Sequence, residues 1–250
     1  MKLFDATTWI GRWPFAFCAA HDGRSLADEL RAHGIERALV SPLDAVFAPE
    51  PGPANRALLH ETRAAQALVP VPVINPALPG WRDELEACAA DPRVRVVRVL
   101  PRHHNFRLTG RAMANFAGEI ARRKLRLIVQ VRLIDERHEF HAMHLKPVPA
   151  KELAAFLARF PAQPVLAAGL LRSEIHQLAP FHRNLRCDLA FAEWLPTVPE
   201  LLKKVRPEQI VFGSNTPLLL PGAQREKAAT APARWREAVA RGNLERFLAD

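Results

Sequence analysis

The chain has 250 residues, 49% of them hydrophobic and 24% charged, with a formal net charge of +9. No apolar run approaches a membrane span and no leader pattern opens the chain, so a soluble protein of the cytoplasm is expected. The three scattered cysteines, Cys18, Cys88 and Cys187, form no CxxC pair and suggest neither a zinc knuckle nor a disulfide framework. Basic residues are spread without any Lys/Arg-rich block, which argues for small anions as partners and against nucleic acid.

Short apolar runs alternate with amphipathic segments along the chain. Strands are expected at 2–9, 37–43, 68–75, 94–100, 125–134, 164–170, 185–191 and 210–214. Helices are expected near 25–33, 53–66, 80–90, 109–123, 149–160, 173–179, 197–204 and 223–240. Ser25 and Thr109 stand where N-caps fall, and Pro92 and Pro161 where helices stop. This alternation predicts an α/β protein, a single (β/α)8 TIM barrel occupying 1–250. An open doubly wound sheet would need a Gly-rich phosphate turn after its first strand, and the chain reads Ile10-Gly11-Arg12-Trp13-Pro14-Phe15 there. The longest irregular stretch, 135–148, follows the fifth strand, where barrels place functional loops.

Side-chain period then selects candidate site residues. In the first strand, Asp5, Thr7 and Trp9 fall on one side. In the fourth, Arg98 shares a face with Val96 and Leu100. Facing the lumen, it either clamps a carboxylate bidentately or pairs structurally with Asp5 or Asp188. Gln130 and Arg132 share a face of the fifth strand, and Arg132 beside Arg98 would make a positive pocket floor that favours an anionic substrate. His103 and His104 lie just past strand four, on the face where catalysis is expected, although adjacent loop histidines are more often solvated. Asp135, Glu136, His138, His141 and His144 crowd the loop after strand five. Asp135, His138 and His103 are the candidate acids and bases. The spacing of the three loop histidines sweeps too wide an arc of a helix to face one ion. Arg12, Trp13, Pro14 and Phe15, with Trp9, form either an aromatic ligand wall carrying one cation or a plug in the barrel mouth. Ser214 has no nucleophile elbow around it, so a serine hydrolase is not expected.

Several motifs carry a family resemblance. Leu3-Phe4-Asp5-Ala6-Thr7-Thr8-Trp9-Ile10-Gly11 resembles the opening I-D-x-H-x-H-x-G of the amidohydrolase-related (amidohydrolase 2) family, in the metal-dependent hydrolase TIM-barrel superfamily. Leu127-Ile128-Val129-Gln130 resembles its V-L-L-H, and Val165-Leu166-Ala167-Ala168-Gly169 its V-V-L-A-H-x-G. Phe212-Gly213-Ser214-Asn215-Thr216-Pro217 resembles F-G-S-D-x-P, and Gly242-Asn243-Leu244-Glu245-Arg246-Phe247-Leu248 the closing G-N-A-x-R-L-L. Arg98 takes the slot of a lysine in G-x-K-x-x-P. The resemblance implies a divergent member, since Thr7, Trp9, Gln130, Ala168 and Asn215 stand where the family places metal ligands. It implies a hydrolase, or a decarboxylase of an aromatic acid, acting on a small carboxylate or lactone without a metal or other cofactor. Arg98 and Arg132 would hold the anion, and Gln130, Asn215, Thr7, Trp9 and Arg12 would shape its site. A non-catalytic relative that binds small anions or acts as a scaffold is the alternative. No membrane partner is expected, and a homo-oligomer is left open.

Overall fold

A computed structural model describes residues 1–18, 21–135, 140 and 145–249. Eight strands lie at the predicted places among these residues: β1 (Leu3–Ile10), β2 (Ile35–Pro42), β3 (Leu68–Pro70), β4 (Val96–Val99), β5 (Arg126–Gln130), β6 (Val165–Ala168), β7 (Leu185–Asp188) and β8 (Ile210–Val211). All pairings are parallel, in the orders β1-β2-β3 and β4-β5-β6-β7-β8. Backbone bonds close both gaps. Arg98 N–H donates to Pro72 O at 2.8 Å and Ile74 N–H to Arg98 O at 2.9 Å, which joins the β3 chain to β4. Ala6 N–H donates to Phe212 O at 2.9 Å, Asn215 N–H to Thr7 O at 2.8 Å and Trp9 N–H to Thr216 O at 2.8 Å, which joins β8 to β1. The result is a closed (β/α)8 barrel without a free sheet edge.

The strands are apolar on both faces because each face is covered. The outer face packs under helices α1 (Gly23–Ala32), α2 (Gly52–Glu61), α3 (Trp81–Ala89), α4 (Arg111–Arg122), α5 (Ala150–Arg159), α6 (Arg172–Leu178) and α7 (Thr197–Leu202), with Leu26, Leu58, Leu85, Phe116, Phe156, Ile175 and Leu201 in that layer. A second cluster fills the lumen: Phe4, Ala6, Leu39, Val71, Val96, Ile128, Leu166, Ala168 and Val211, sealed from below by Leu244 and Phe247. Among the described residues no helix is long and apolar enough to cross a membrane.

Three local expectations change. Asp22, not Ser25, caps α1: its carboxylate accepts from Ser25 N–H at 2.7 Å, and Ser25 supplies the reciprocal half of a capping box. Gly110, not Thr109, takes the extended N-cap position of α4. The single helix expected at 223–240 is divided into α8 (Pro221–Ala229) and α9 (Ala233–Glu237), followed by a π-helical turn and α10 (Asn243–Ala249). Pro232 accounts for the break, since it cannot continue the α8 ladder.

Candidate active site

The strict alternation expected for β1 does not hold. Its register with β2 slips between Asp5 and Thr8, and Phe4 and Ala6 both join the lumen cluster. Asp5 braces the irregularity. Its Oδ1 accepts from Thr7 N–H at 3.0 Å and from Ser214 N–H at 2.9 Å, amides the strand ladder leaves unpaired. Thr7 and Trp9 lie beyond it, and both are fully buried.

Above the lumen floor, side chains from β1, β4, β5, β7 and β8 meet. The Trp9 indole Nε1–H donates to Asn215 Oδ1 at 2.8 Å, and Asn215 Nδ2 donates to Leu133 O at 2.7 Å. Asn215 has φ of 58°, in the left-handed region that asparagine tolerates better than most residues. The Arg98 guanidinium carbon lies 4.1 Å from the centre of the Trp9 ring. Arg98 Nη1 donates to Gln130 Oε1 at 2.8 Å, and Gln130 Nε2 donates to Arg132 O at 2.8 Å. Thr7 Oγ1 donates to Asp188 Oδ2 at 3.1 Å, while Gly169 N–H donates to Asp188 Oδ1 at 3.2 Å.

The sequence leaves Arg98 as an anion clamp or the partner of a buried acid. Among the described residues the structure pairs it with no carboxylate within 4.0 Å, and its Nε and Nη2 find no acceptor. Asp5 and Asp188 act on it through space. Burial pulls the Arg98 pKa down to about 9, against the pull of the two acids. Burial pushes Asp5 up to about 7, outweighing its hydrogen bonds from Ser214 and Thr7, and nearby Asp188 adds to the rise. Burial raises Asp188 as well, again against its hydrogen bonds and Arg98. Asp5 thus titrates near neutrality at the face where barrels do chemistry. The sequence reading gives Asp5 and Asp188 structural roles only. Their common surroundings arise from strands 1 and 7, which no local pattern links.

The remaining predicted residues lie elsewhere. Arg132 turns away from Arg98: its Nη1 donates to Gly169 O at 2.6 Å and pairs with Glu174 at 3.2 Å. It therefore does not join Arg98 in a positive floor. Arg12 is exposed at the rim, where its N–H donates to Asp44 Oδ2 at 3.3 Å. The adjacent histidines are not the solvated pair expected. His104 is buried with Nε2 2.9 Å from Ala45 O, and half-buried His103 meets Phe47 edge to face, with ring centres 5.6 Å apart. Burial pulls His103 down to about 4, with His104 adding to it, so its imidazole is neutral near pH 7. Asp135 is half-buried; Glu136, His138, His141 and His144 lie outside the described residues.

An aromatic group covers the network. Trp13 contacts Phe15 and Phe47, and Phe15 stacks on Phe140 with ring centres 4.9 Å apart. The cleft lined by His103, Gln130 and Arg132 has a volume of about 20 Å³, room for a single water.

No protein-family model matches the chain, and no curated protein matches it. Solved structures do match over their whole length. The 5-carboxyvanillate decarboxylase of Sphingomonas paucimobilis superposes with a TM-score of 0.77 at 14% identity, covering 99% of each chain. An amidohydrolase II superposes with a TM-score of 0.72 at 13% identity, covering 100% of each. This chain has the amidohydrolase-type barrel fold. A dihydroxybenzoic acid decarboxylase from a Polaromonas species, which carries manganese and 2-nitroresorcinol, gives 0.75 at 12% identity over 99% of this chain and 97% of that one.

The Polaromonas decarboxylase carries manganese, and among the described residues the donors at these strand ends do not fit a divalent metal. Trp9 offers an N–H already given to Asn215, Thr7 gives its hydroxyl proton to Asp188, Ala168 offers nothing, and Arg98 places a positive charge beside them. Among the described residues no group of three or more His, Cys, Asp and Glu is arranged to hold a metal.

Asn215→Asp is expected to destabilise the fold by about 2–4 kcal/mol. The carboxylate cannot donate to Leu133 O, and its charge would be buried. Urea unfolding measures the loss. A variant as stable as the wild type would mean that the bond to Leu133 contributes nothing.

Proposed function

We propose that residues 1–250 form one barrel domain that hydrolyses or decarboxylates a small carboxylate or lactone without a metal at the strand ends. The supporting observation is Arg98: a fully buried guanidinium at the catalytic end of the barrel with two N–H-bearing nitrogens lacking acceptors. Those donors match the two oxygens of a carboxylate. Thr7, Gln130 and Asn215 orient the bound molecule. Asp5, near half-protonated at neutral pH, supplies the proton that replaces departing CO2 on a ring carbon. In hydrolysis its ionised form takes a proton from water as that water adds to the carbonyl carbon. Proteins of the same fold include decarboxylases of aromatic carboxylic acids, which gives the substrate class to test first.

One observation favours the alternative of a non-catalytic, anion-binding or scaffold barrel. Trp9 is fully buried, and Trp13, Phe15, Phe47 and Phe140 roof the lumen. A single experiment separates the two. Chelator-treated protein is incubated with hydroxybenzoates and lactones while CO2 release, acid release and melting temperature are followed. The enzyme reading expects turnover in chelator and a ligand-induced rise in melting temperature that Arg98→Met removes. No turnover and no shift with any compound would sink it. Turnover that appears only after adding Mn2+ would overturn its metal-free part.

A further inference from the structure

A second cavity lies at the opposite end of the barrel. It has a volume of about 670 Å³ and is formed where the starts of β2, β3 and β4 meet the C-terminal helix. Four arginines border it: Arg37, Arg63, Arg93 and Arg95, with Glu245 as the one acid on its wall. Arg93 is committed, since its guanidinium binds Asp91 at 2.6 and 2.9 Å and Leu59 O at 2.9 Å. Among the described residues Arg37, Arg63 and Arg95 form no ion pair within 4.0 Å. The Arg37 guanidinium carbon lies over the Phe4 ring, 4.4 Å from its centre, which holds that guanidinium at the cavity wall. Phe4, Leu68, Val69, Pro92 and Leu248 supply an apolar floor. A neighbouring hollow of about 520 Å³ shares Pro92 and Arg95 and adds Arg123 and Lys124.

Three guanidinium groups around one concavity repel each other, and Glu245 on the wall and Asp91, which attracts Arg63 through space, offset that repulsion only in part. Guanidinium presents paired donors that match phosphate oxygens. The volume falls in the range of small-molecule sites, roughly 300–1,000 Å³, which favours a compact ligand over a nucleic-acid strand. We propose that this cavity binds a small polyphosphate, with the phosphates held by Arg37, Arg63 and Arg95 and any flat apolar moiety lying on the Phe4–Leu248 floor. This places a second anion site at the base of the barrel, away from Arg98, and it does not depend on the reading of the lumen.

The test uses the full chain, with inorganic tripolyphosphate and ATP as probes followed by isothermal titration calorimetry. Each is expected to bind, and the double variant Arg63→Gln/Arg95→Gln to weaken both by roughly tenfold or more. Arg111→Gln, an exposed arginine at the start of α4 outside the cavity, should leave both affinities unchanged. Tighter binding of ATP than of tripolyphosphate, lost in Phe4→Ala, would mark a nucleotide site; equal binding would mark a site for the phosphate chain alone. Thermal melts establish that each variant is folded, and Arg37→Lys, which keeps the charge but loses the fork, gives an intermediate loss. Three results would overturn the proposal: no heat at about 1 mM of either probe, equal weakening by Arg111→Gln, or a single-stranded oligonucleotide that binds and is not displaced by tripolyphosphate.

Discussion

Asp5→Asn is expected to flatten the dependence of stability on pH. In the folded chain burial raises the Asp5 pKa from its ordinary 3.8 to about 7. Between those two values the folded state holds a proton that the unfolded state has released. Its contribution to stability is therefore complete below the lower value, declines as pH rises, and is gone above the upper one. The decline approaches roughly 1.4 kcal/mol per pH unit inside the window. Asparagine keeps the oxygen that accepts from Thr7 and Ser214 N–H, so the irregular turn of β1 stays braced. The variant should lose about 1 kcal/mol per unit of slope between about pH 4 and pH 7 and match or exceed the wild type at about pH 8. Urea titrations across that range provide the measurement. An unchanged slope would mean that Asp5 is ionised in the fold at neutral pH, which would also remove it as a proton donor.

The barrel was legible because its determinants are local. Runs such as Val96-Val97-Arg98-Val99 and Val165-Leu166-Ala167-Ala168 are apolar on both faces, and the helices between them carry stop signals within a few residues. Caps were less so, since Asp22 and Ser25 are both good capping residues and only the backbone decides between them. Arg98 and Gln130 meet because the period of β4 and β5 turns both to one face of the barrel, while Trp9, beyond the slip in β1, and Asn215, past the end of β8, join them through their own hydrogen bond and the stacking of Arg98 on the indole. Arg132 sits two residues beyond Gln130, past the end of β5, where strand period no longer governs direction; Glu174 on α6 claims it instead. The slip at Asp5–Thr8 is the other failure of period, because an irregularity reflects the partner strand and not the sequence alone. The base cavity left no mark in the chain order: Arg37 lies in β2, Arg63 in the connection before β3 and Arg95 in the connection before β4.

Arg98 is where the two ends of the site's energetics meet, and replacing it should show them separately. Arg98→Ala removes a large, fully buried side chain, strands Gln130 Oε1 and strips Trp9 of the cation on its face. A loss of about 3–5 kcal/mol is expected. Arg98→Met keeps much of the volume and removes only the charge. The burial of that charge is a fixed cost, whereas the attraction that offsets it exists only when Asp5 and Asp188 are ionised. At about pH 5 Asp5 is neutral, so the methionine variant should match or exceed the wild type; at about pH 8 the wild type should gain on it. Without Arg98 both acids also rise further, so the variant's stability should fall more steeply with pH than the wild type's. The same crossover bears on function: if Arg98 faces the acids across a space that a carboxylate enters, a bound carboxylate should stabilise the wild type and leave Arg98→Met unmoved. A methionine variant displaced from the wild type by the same amount at every pH would show that Arg98 does not feel the acids, and the lumen would then be a packed core with one stacked cation.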